Sequence, residues 1–392
     1  MRVLVLDGEQ RSALAATRSL GRAGHEVTVG SAARRSLAGA SRFSRDQLCH
    51  PPPETRPAEF LGWLEEGCRH RGWEMLFPMT EVTTDLLLRE RGRWGRARVP
   101  FAPIDVIDAL SDKVSLYRRA CRLGVPVPPS CIVEGPDGLE EAVGRIGFPA
   151  VLKPARSRIR AADGRFVSTS VVRVRGREEL HAALRRPGLE QYPFLYQRLV
   201  PGRGQGIFAL YRRGEPAAFF AHRRLREKPP EGGVSVLSES VPVDDELLRH
   251  ARALLDDAAW HGPSMVEFKV DGREGPFLME VNARFWGSLQ LAVDAGVDFP
   301  LLMAEPSKAP PDQYLCGRRL RWFLGDLDRL YLVLKGRRQA GLRVLLREIA
   351  AFATPGFGHT RHEVFRWSDP VPAVAEFVDY VRRTFGSTEG VR

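Results

Sequence analysis

Residues 264–284 constrain the fold most, because their spacing is typical of a single β-hairpin. Two segments with strand-like alternation flank DGREG, a linker rich in turn-forming residues. Glu267 and Glu280 lie at comparable distances from this turn, so we expect them to be neighbours across the two strands. Alternation also predicts an apolar face that packs on a core and consists of Val266, Phe268, Val270, Phe277, Met279, Val281 and Ala283.

The polar face of this hairpin has the composition of a magnesium site. Glu267, Glu280 and Asn282 place two carboxylates and an amide oxygen together, and hard oxygen ligands suit Mg²⁺. Arg284 adds a group that binds phosphate. A hairpin with one solvated polar face is the plain alternative. However, asparagine is depleted in strands, and like charges that face each other destabilise a sheet unless a cation lies between them.

Length and composition limit the classes of protein. The chain has 392 residues, of which 43% are hydrophobic and 27% are charged. At about 100–200 residues per domain, this predicts two or three domains with buried cores and excludes a disordered or fibrous protein. No run of ~18 apolar residues occurs, and an acid, Asp7, follows a short apolar stretch at the start. We therefore expect no membrane span, no signal peptide and a cytoplasmic location.

Charge and cysteine content narrow the choice of ligand. The net charge is +11, but the arginines are spread along the chain and interrupted by acids, so we expect no nucleic-acid partner. A basic balance also suits phosphate and carboxylate ligands. The five cysteines are scattered without a metal-binding spacing, which predicts neither a disulfide framework nor a zinc site.

The N-terminal region is predicted to be a βαβ unit with a parallel, helix-covered sheet. Strand, helix and strand follow one another within residues 3–30. The turn after the first strand lacks the GxGxxG pattern, so we do not expect NAD. Glu81 follows a strand at 74–78, at the edge where open α/β sheets bind ligands. Glu81 is therefore a candidate substrate contact, although Thr80 equally suggests a plain helix cap.

Two lysines stand out because only six of the 59 basic residues are lysines. Lys153 ends the strand FPAVLK and is followed by Pro154. Lys113 follows Asp112 at the start of a helix, where the helix dipole disfavours a cation, so its placement suggests an anionic partner. A lone lysine at the end of a strand is more often a solvated side chain.

Five segments, in this order and spacing, resemble the ATP-grasp superfamily: DK at 112–113, FPAVLKP at 148–154, YQRLVPG at 196–202, VEFK at 266–269 and MEVNAR at 279–284. The resemblance is to ligases of the carboxylate–amine or thiol type. These include the carbamoyl-phosphate-synthase-large-subunit-like and D-Ala–D-Ala-ligase-like proteins. It implies an α/β plus α+β fold in which ATP lies between two α+β subdomains.

The resemblance implies three regions. Residues 1–108 would form a Rossmann-like pre-ATP-grasp domain, and residues 109–305 would form the ATP-grasp domain. The latter would consist of a lid subdomain at about 114–195 and a metal and substrate subdomain at about 196–305. Residues 306–392 are predicted to be mostly helical, with arginine-rich amphipathic helices. Whether they cap the substrate pocket, form a homodimer contact or pack on a neighbouring domain stays open.

Carried over by position, the resemblance implies a role for each motif residue. Lys113 and Lys153 would hold ATP phosphates, and the two acids and the asparagine of the hairpin would bind Mg²⁺, with Mn²⁺ as an alternative. Arg284 would steady the phosphoryl group in transfer. The slot for adenine would be lined by the backbone of Gln197, Arg198, Leu199 and Val200.

Two segments fall outside the simple pattern. The loop after the second lysine has few small residues, Ser168 among them, so arginine side chains would supply part of the phosphate contact. The segment 222–236 gathers cations beside a Gly–Gly turn. Charge runs are usually solvated, but here we expect this one to bind a carboxylate and its acyl phosphate. Its candidates are Arg224 and Arg226 for catalysis, and His222, Arg223, Lys228, Gly232 and Gly233 for substrate contact.

ATP-grasp enzymes mostly activate a carboxylate as an acyl phosphate, which an amine then attacks. We therefore expect an ATP-dependent carboxylate–amine ligase that forms an amide or peptide bond and releases ADP and phosphate. Its partners would be small-molecule carboxylates and amines. A non-catalytic or regulatory module that binds Mg-ATP is the first alternative. A nucleic-acid or membrane-surface binder acting through the C-terminal helices is the second.

Overall fold

The computed structural model describes residues 1–190, 193–336, 342–354 and 359–385. Within these ranges the strands form four sheets. No helix of the described residues is long and apolar enough to cross a membrane.

The N-terminal region is a parallel sheet with helices packed against it. Its elements are β1 (Arg2–Val5), α1 (Arg11–Arg22), β2 (Glu26–Ser31), β3 (Asp46–Cys49), α2 (Pro57–Arg71), β4 (Met75–Phe77), α3 (Glu81–Arg89) and a 3₁₀ turn, Arg91–Trp94. The strand order is β3-β2-β1-β4, and every pairing is parallel. The predicted βαβ unit with its parallel sheet is confirmed.

The start of α3 is fixed by two sets of hydrogen bonds. Thr80 and Thr83 form a capping box, in which each side chain accepts from the backbone N–H of the other. Asp7 accepts from the N–H groups of Met79 and Thr80 and from the hydroxyl of Thr83. Burial raises the pKa of Asp7 to about 6, although these hydrogen bonds oppose the shift. Thr80 is therefore a helix cap, as the sequence suggested.

Residues 130–198, called the lid, have a sheet and a core of their own. Two helices precede it, α4 (Ile104–Ser111) and α5 (Lys113–Arg122). It contains β5 (Ser130–Val133), α6 (Pro136–Ile146), β6 (Ala150–Pro154), β7 (Arg158–Arg160), β8 (Phe166–Ser168), β9 (Val172–Val174), α7 (Arg177–Ala183) and β10 (Phe194–Arg198). The antiparallel sheet has the order β5-β10-β6-β9, and β7 and β8 form a separate hairpin. Apolar side chains of this sheet and of α6 and α7 make a core separate from the main one, so the lid is a packing unit of its own.

The largest sheet has seven strands and carries the acidic hairpin. Its first part comprises β11 (Arg203–Arg212), β12 (Glu215–Lys228), β13 (Val234–Val241), α8 (Asp245–Asp257), β14 (Gly262–Val270), β15 (Pro276–Asn282), α9 (Leu289–Ala295) and α10 (Phe299–Ala304). The strands run in the order β15-β14-β11-β12-β13, with antiparallel pairing throughout. The predicted hairpin is confirmed.

The C-terminal region continues this sheet. Its elements are β16 (Arg319–Arg321), α11 (Phe323–Gly336), α12 (Leu342–Ala353), β17 (Thr360–His362) and α13 (Val371–Phe385). Strand β16 pairs with β13, and β17 pairs with β16. Leu320 and Val364 belong to the same core as the N-terminal sheet. The expectation of a mostly helical region missed these two strands, because three residues show too little periodicity to identify a strand.

Candidate functional site

The acidic hairpin has the predicted pairing at its acidic end and a different register near its turn. Glu267 lies directly opposite Glu280 in the pair formed by β14 and β15. The register then shifts at a β-bulge, and Leu278 takes the buried position, while Phe277 and Met279 are half-buried. The prediction that Phe277 and Met279 face the core is wrong, because the extra residue of a bulge reverses the alternation of side chains.

A cleft of about 420 Å³ lies over the polar face of this hairpin, between the lid sheet and the large sheet. It brings together most of the candidate residues, although these come from elements far apart in the chain. They are Lys113, Lys153, Gln197, Arg198, Leu199, Val200, His222, Arg224, Gly232, Gly233, Glu267, Glu280, Asn282 and Arg284. The candidate residues for binding phosphate, adenine and metal therefore line the same cleft.

The two facing carboxylates have different electrostatic surroundings. Burial raises the pKa of Glu267 to about 7; the guanidinium of Arg224 opposes this shift, and the charge of Glu280 adds to it. Burial acts in the same direction on Glu280. There the ammonium of Lys113 and a hydrogen bond from Asn282 (3.0 Å) outweigh it and hold the pKa below its usual value. The carboxylate of Glu280 is therefore held in its charged form, whereas the carboxylate of Glu267, with a pKa of about 7, titrates near neutral pH.

The donor set of the hairpin fits a magnesium ion. Among the described residues, no group of three or more His, Cys, Asp and Glu side chains is clustered as a metal site. What the hairpin offers instead is two opposed carboxylates and the amide of Asn282. Mg²⁺ usually takes one or two protein carboxylates and fills its octahedral shell with waters and phosphate oxygens. The residues present match that pattern better than the pattern of an all-protein cage.

Both candidate lysines are buried and reach the cleft from different directions. Asp112 caps α5, which leaves Lys113 as its first residue, and Lys113 donates to the hydroxyl of Ser157 (3.1 Å). Lys153, on β6, donates to the carbonyl of Met279 on the hairpin (3.3 Å). Burial lowers the pKa of Lys153 to about 8, although the charge of Glu280 opposes the shift. Two ammonium groups with few protein partners therefore face the acidic strands.

The segment 197–200 at the end of β10, called the hinge, is hydrogen-bonded both to the lid and to the large sheet. Gln197 is buried and donates its amide hydrogen to a serine hydroxyl on β5 of the lid (2.9 Å). The carbonyl of Val200 accepts from the ammonium of Lys269, which belongs to β14 of the large sheet (3.0 Å). Arg198 forms an ion pair with Glu274 in the turn of the acidic hairpin. These contacts tie the segment that joins the lid to the large sheet.

Arg224 contacts the acidic pair directly. Its guanidinium donates to the carboxylates of Glu267 and Glu227 and to the carbonyl of Gly233 (3.0 Å). Burial acts to lower the pKa of Arg224, but the charges of Glu267 and Glu227 outweigh it and raise the pKa further above its usual value. A permanent cation therefore lies against one of the candidate metal ligands.

Three other cations of the same segment point away from the cleft. Arg223 pairs with Glu239 on β13, Arg226 pairs with the buried Asp326 of α11, and Lys228 pairs with Asp328 of the same helix. Regular alternation would place residues 222, 224, 226 and 228 on one face. Irregular pairing of β12 with β13 on both sides of Arg226 interrupts this alternation. Glu227 consequently lines the cleft where Arg226 was expected.

Two further candidates lie beside the cleft instead of in its lining. Ser168 is exposed on the hairpin β7–β8, where its hydroxyl accepts from Arg158. Glu81 lies 3.7 Å from the guanidinium of Arg284 and lines a small adjoining pocket of about 50 Å³ with it. Glu81 therefore meets the cleft through Arg284.

The sequence analysis missed four charged residues that line the cleft, namely Arg11, Arg173, Glu227 and Lys269. Arg173, on β9, was given no role. Lys269 is part of the VEFK segment and was given no role. Glu227 was hidden in a run of cations. Arg11 comes from the N-terminal sheet domain, and no local pattern marks it, because its approach to the cleft depends on how two distant regions pack.

Comparison with known proteins supports the same architecture. Residues 197–316 match the family described as "ATP-grasp in the biosynthetic pathway with Ter operon". Among curated proteins, none has a sequence that matches this chain.

Solved structures resemble most of the fold at low identity. An L-amino acid ligase from Bacillus licheniformis is 16% identical, with a TM-score of 0.61 over 79% of this chain and 74% of that one. An ADP complex of N5-carboxyaminoimidazole ribonucleotide synthetase is 13% identical, with a TM-score of 0.65 over 90% and 96%. A biotin carboxylase from Campylobacter jejuni is 15% identical, with a TM-score of 0.63 over 81% and 74%. The motifs, the fold and the family match agree: residues 197–316 match an ATP-grasp family, and the chain shares its fold with these solved structures.

Proposed function

We propose that this protein is an ATP-dependent ligase that activates a carboxylate as an acyl phosphate and joins it to an amine. The observation that carries the proposal is that the pair Glu267–Glu280 shares one cleft with three largely buried cations, Lys113, Lys153 and Arg224. Phosphoryl transfer needs charge neutralisation and in-line positioning more than covalent help from the protein. The shared fold with an L-amino acid ligase and other ATP-grasp proteins adds support.

The positions of the charged groups support a division of roles. Glu267, Glu280 and Asn282 would hold Mg²⁺, which when bound shields the negative charge of the ATP phosphates. Lys113 and Lys153 would donate to the remaining phosphate oxygens, for which their few protein contacts leave hydrogen atoms free. The hinge around Val200 would line the adenine slot.

The proposed reaction has two steps. A carboxylate oxygen of the substrate attacks the γ-phosphorus of ATP, the bond to the β–γ bridging oxygen breaks, and ADP leaves. An amine nitrogen then attacks the acyl carbon, phosphate leaves with the former carboxylate oxygen, and the nitrogen loses a proton. Arg224 and Arg284 would stabilise the charge that develops on the phosphoryl oxygens. Arg226, bound to Asp326, would instead anchor the C-terminal region.

Release of ADP in the presence of substrate tests this proposal. We would incubate the protein with Mg-ATP and pooled amino acids and small carboxylates, and compare it with Glu280→Ala and with Glu178→Ala, an exposed acid on α7. We expect substrate-dependent release that Glu280→Ala abolishes and Glu178→Ala leaves unchanged. Failure to bind Mg-ATP would refute the proposal.

A regulatory Mg-ATP-binding module is the second candidate function. The observation that favours it is the hairpin β7–β8, in which Ser168 lies outside the cleft and basic side chains take the place of small residues. Such a module would bind Mg-ATP tightly and release no ADP with any member of the pool. Turnover with any carboxylate would exclude it.

A further inference from the structure

Arg11 brings the N-terminal sheet domain into the cleft. It is the first residue of α1, and its side chain lines the cleft against Gly287, which follows the acidic hairpin. A Cβ atom at residue 287 would lie 3.0 Å from Nη2 of Arg11. Glycine at this position therefore leaves the space that the guanidinium occupies.

The C-terminal region holds Arg11 in place. Glu363, which is 3% exposed, accepts from Nη1 of Arg11, and the ring of Trp322 stacks on the guanidinium with its centroid 4.0 Å away. Arg18 lies about two turns further along α1 than Arg11, on the same side of the helix. It donates to the backbone carbonyl of Glu363 (3.0 Å) and so fixes the backbone there. Nη1 and one face of the Arg11 guanidinium are thus engaged, while Nη2 lies at the cleft wall.

The wall of the cleft beside Arg11 carries two buried ring nitrogens that have no hydrogen-bond partner among the described residues. His222 and Trp286 are each 2% exposed and line the cleft, and among the described residues neither Nε2 of His222 nor Nε1 of Trp286 has a hydrogen-bond partner. Nδ1 of His222 lies 3.3 Å from the hydroxyl of Ser288. An indole N–H and a guanidinium can only donate. The subsite therefore suits a group that is rich in acceptors and negatively charged.

This subsite lies apart from the acidic pair. On β12, Arg224 contacts Glu267, whereas His222, two residues earlier, contacts Ser288. Two residues of a strand span about 7 Å. A short carbon chain bridges such a distance, so one molecule can place one end beside the acidic pair and the other end beside Arg11.

We propose that the carboxylate substrate carries a second anionic group, which Arg11, Trp286 and Ser288 bind at the end of the cleft remote from the acidic pair. The inference rests on the proposed ligase function and adds the substrate class, an acidic amino acid or another diacid. Arg11 is the specificity-determining residue. Glu363 and Trp322 are positioning residues, which act through Arg11.

Kinetics with matched pairs of substrates test this proposal. The probes are L-aspartate, L-glutamate and O-phosphoserine, each compared with its neutral counterpart L-asparagine, L-glutamine or L-serine. We expect acidic members to be preferred, and Arg11→Gln to raise their KM about tenfold to hundredfold, as expected for a lost charged hydrogen bond. The rise in KM is smaller for the neutral members, which carry no second anionic group. Arg11→Lys restores part of the effect, Glu363→Gln gives a smaller rise, and the control Arg22→Gln, at the other end of α1, gives none.

The outcomes separate this inference from the proposed function. Equal use of acidic and neutral members, or an equal effect of Arg11→Gln on both, overturns the inference and leaves the ligase intact. A preference for O-phosphoserine alone identifies a phosphate group and overturns the diacid class. If no member supports ADP release, the ligase proposal fails. Tryptophan fluorescence titrations with L-glutamate and O-phosphoserine then decide the subsite: binding lost in Arg11→Gln supports it, and absence of binding refutes it.

Discussion

Arg224 reaches Glu267 by crossing directly over Gly204. Strand β11, which contains Gly204, lies between β12 and β14, and a Cβ atom at residue 204 would lie 2.9 Å from Cδ of Arg224. The guanidinium therefore bridges two strands that are not neighbours, and it does so where the intervening strand has no side chain. The contact between the buried cation and the acidic pair depends on that glycine.

Filling this space is expected to impair turnover more than nucleotide binding. In Gly204→Val the side chain displaces Arg224 from Glu267, and the loss of a charged hydrogen bond predicts roughly tenfold slower substrate-dependent ADP release. The Kd for Mg-ATP stays within about twofold, because the candidate phosphate lysines lie on other elements. Gly62→Ala is the control, since a Cβ there meets no atom within 4 Å. Wild-type turnover in Gly204→Val would contradict the account.

Lys153 is expected to strengthen ATP binding but to lower the stability of the protein without ATP. Burial lowers its pKa to about 8, so Lys153→Met removes a poorly solvated ammonium and leaves the free energy of unfolding equal or higher. The same change weakens Mg-ATP binding at least tenfold, because a buried ion pair with phosphate is lost. Calorimetry and urea unfolding measure the two quantities, with the exposed Lys308→Met as control. Loss of stability with unchanged ATP affinity would assign Lys153 a structural role instead.

The C-terminal segment is clamped to α1 by a buried ion pair. Arg18 is 2% exposed, and its Nε donates to Asp369, which is 1% exposed, over 2.8 Å. Arg18→Met leaves the carboxylate buried without its cation, so we expect a loss of about 3–5 kcal/mol in the free energy of unfolding. Arg45→Met removes an exposed pair with Glu26 and costs less than about 1 kcal/mol. Similar effects of the two changes in urea unfolding would contradict this.

Asp7 makes stability depend on pH in a defined direction. Its pKa is raised from 3.8 to about 6, so the native state binds this proton more tightly than the unfolded chain does. The stability from Asp7 is complete below pH 3.8 and is lost as the pH rises through about 6. Asp7→Asn keeps an oxygen acceptor and tolerates the positive φ of 56°.

The wild type should therefore lose up to about 3 kcal/mol relative to Asp7→Asn between about pH 4 and pH 7, because each pKa unit corresponds to about 1.36 kcal/mol. Urea unfolding at a series of pH values measures this difference. A difference that stays constant with pH would show that Asp7 titrates normally.

Local patterns predicted the parts of the site that depend on local structure. Alternation on either side of a short turn was enough to place Glu267 opposite Glu280. Asp112 and Thr80 were recognisable as residues at helix starts, and both act as caps. In these cases the relevant interactions lie within a few residues along the chain, or directly across one hairpin.

The remaining parts depend on features that a single sequence does not reveal. Because of irregular strand pairing, Glu227 and not Arg226 lines the cleft. Because of a bulge, Leu278 is buried in place of Phe277 and Met279. A bulge changes the face of every following residue, yet leaves little compositional trace. Arg11 and Glu363 meet across 352 residues of sequence separation, and such a contact follows from domain packing alone.

Transfer of an oxygen atom from substrate to phosphate tests the central claim most directly. A carboxylate that supports ADP release would be labelled with oxygen-18 in both carboxyl oxygens and turned over with unlabelled Mg-ATP and an amine. If the carboxylate is activated as an acyl phosphate, each released phosphate carries one labelled oxygen, and mass spectrometry detects it. Unlabelled phosphate formed together with amide would show that the carboxylate never attacks the γ-phosphorus, which would contradict the account.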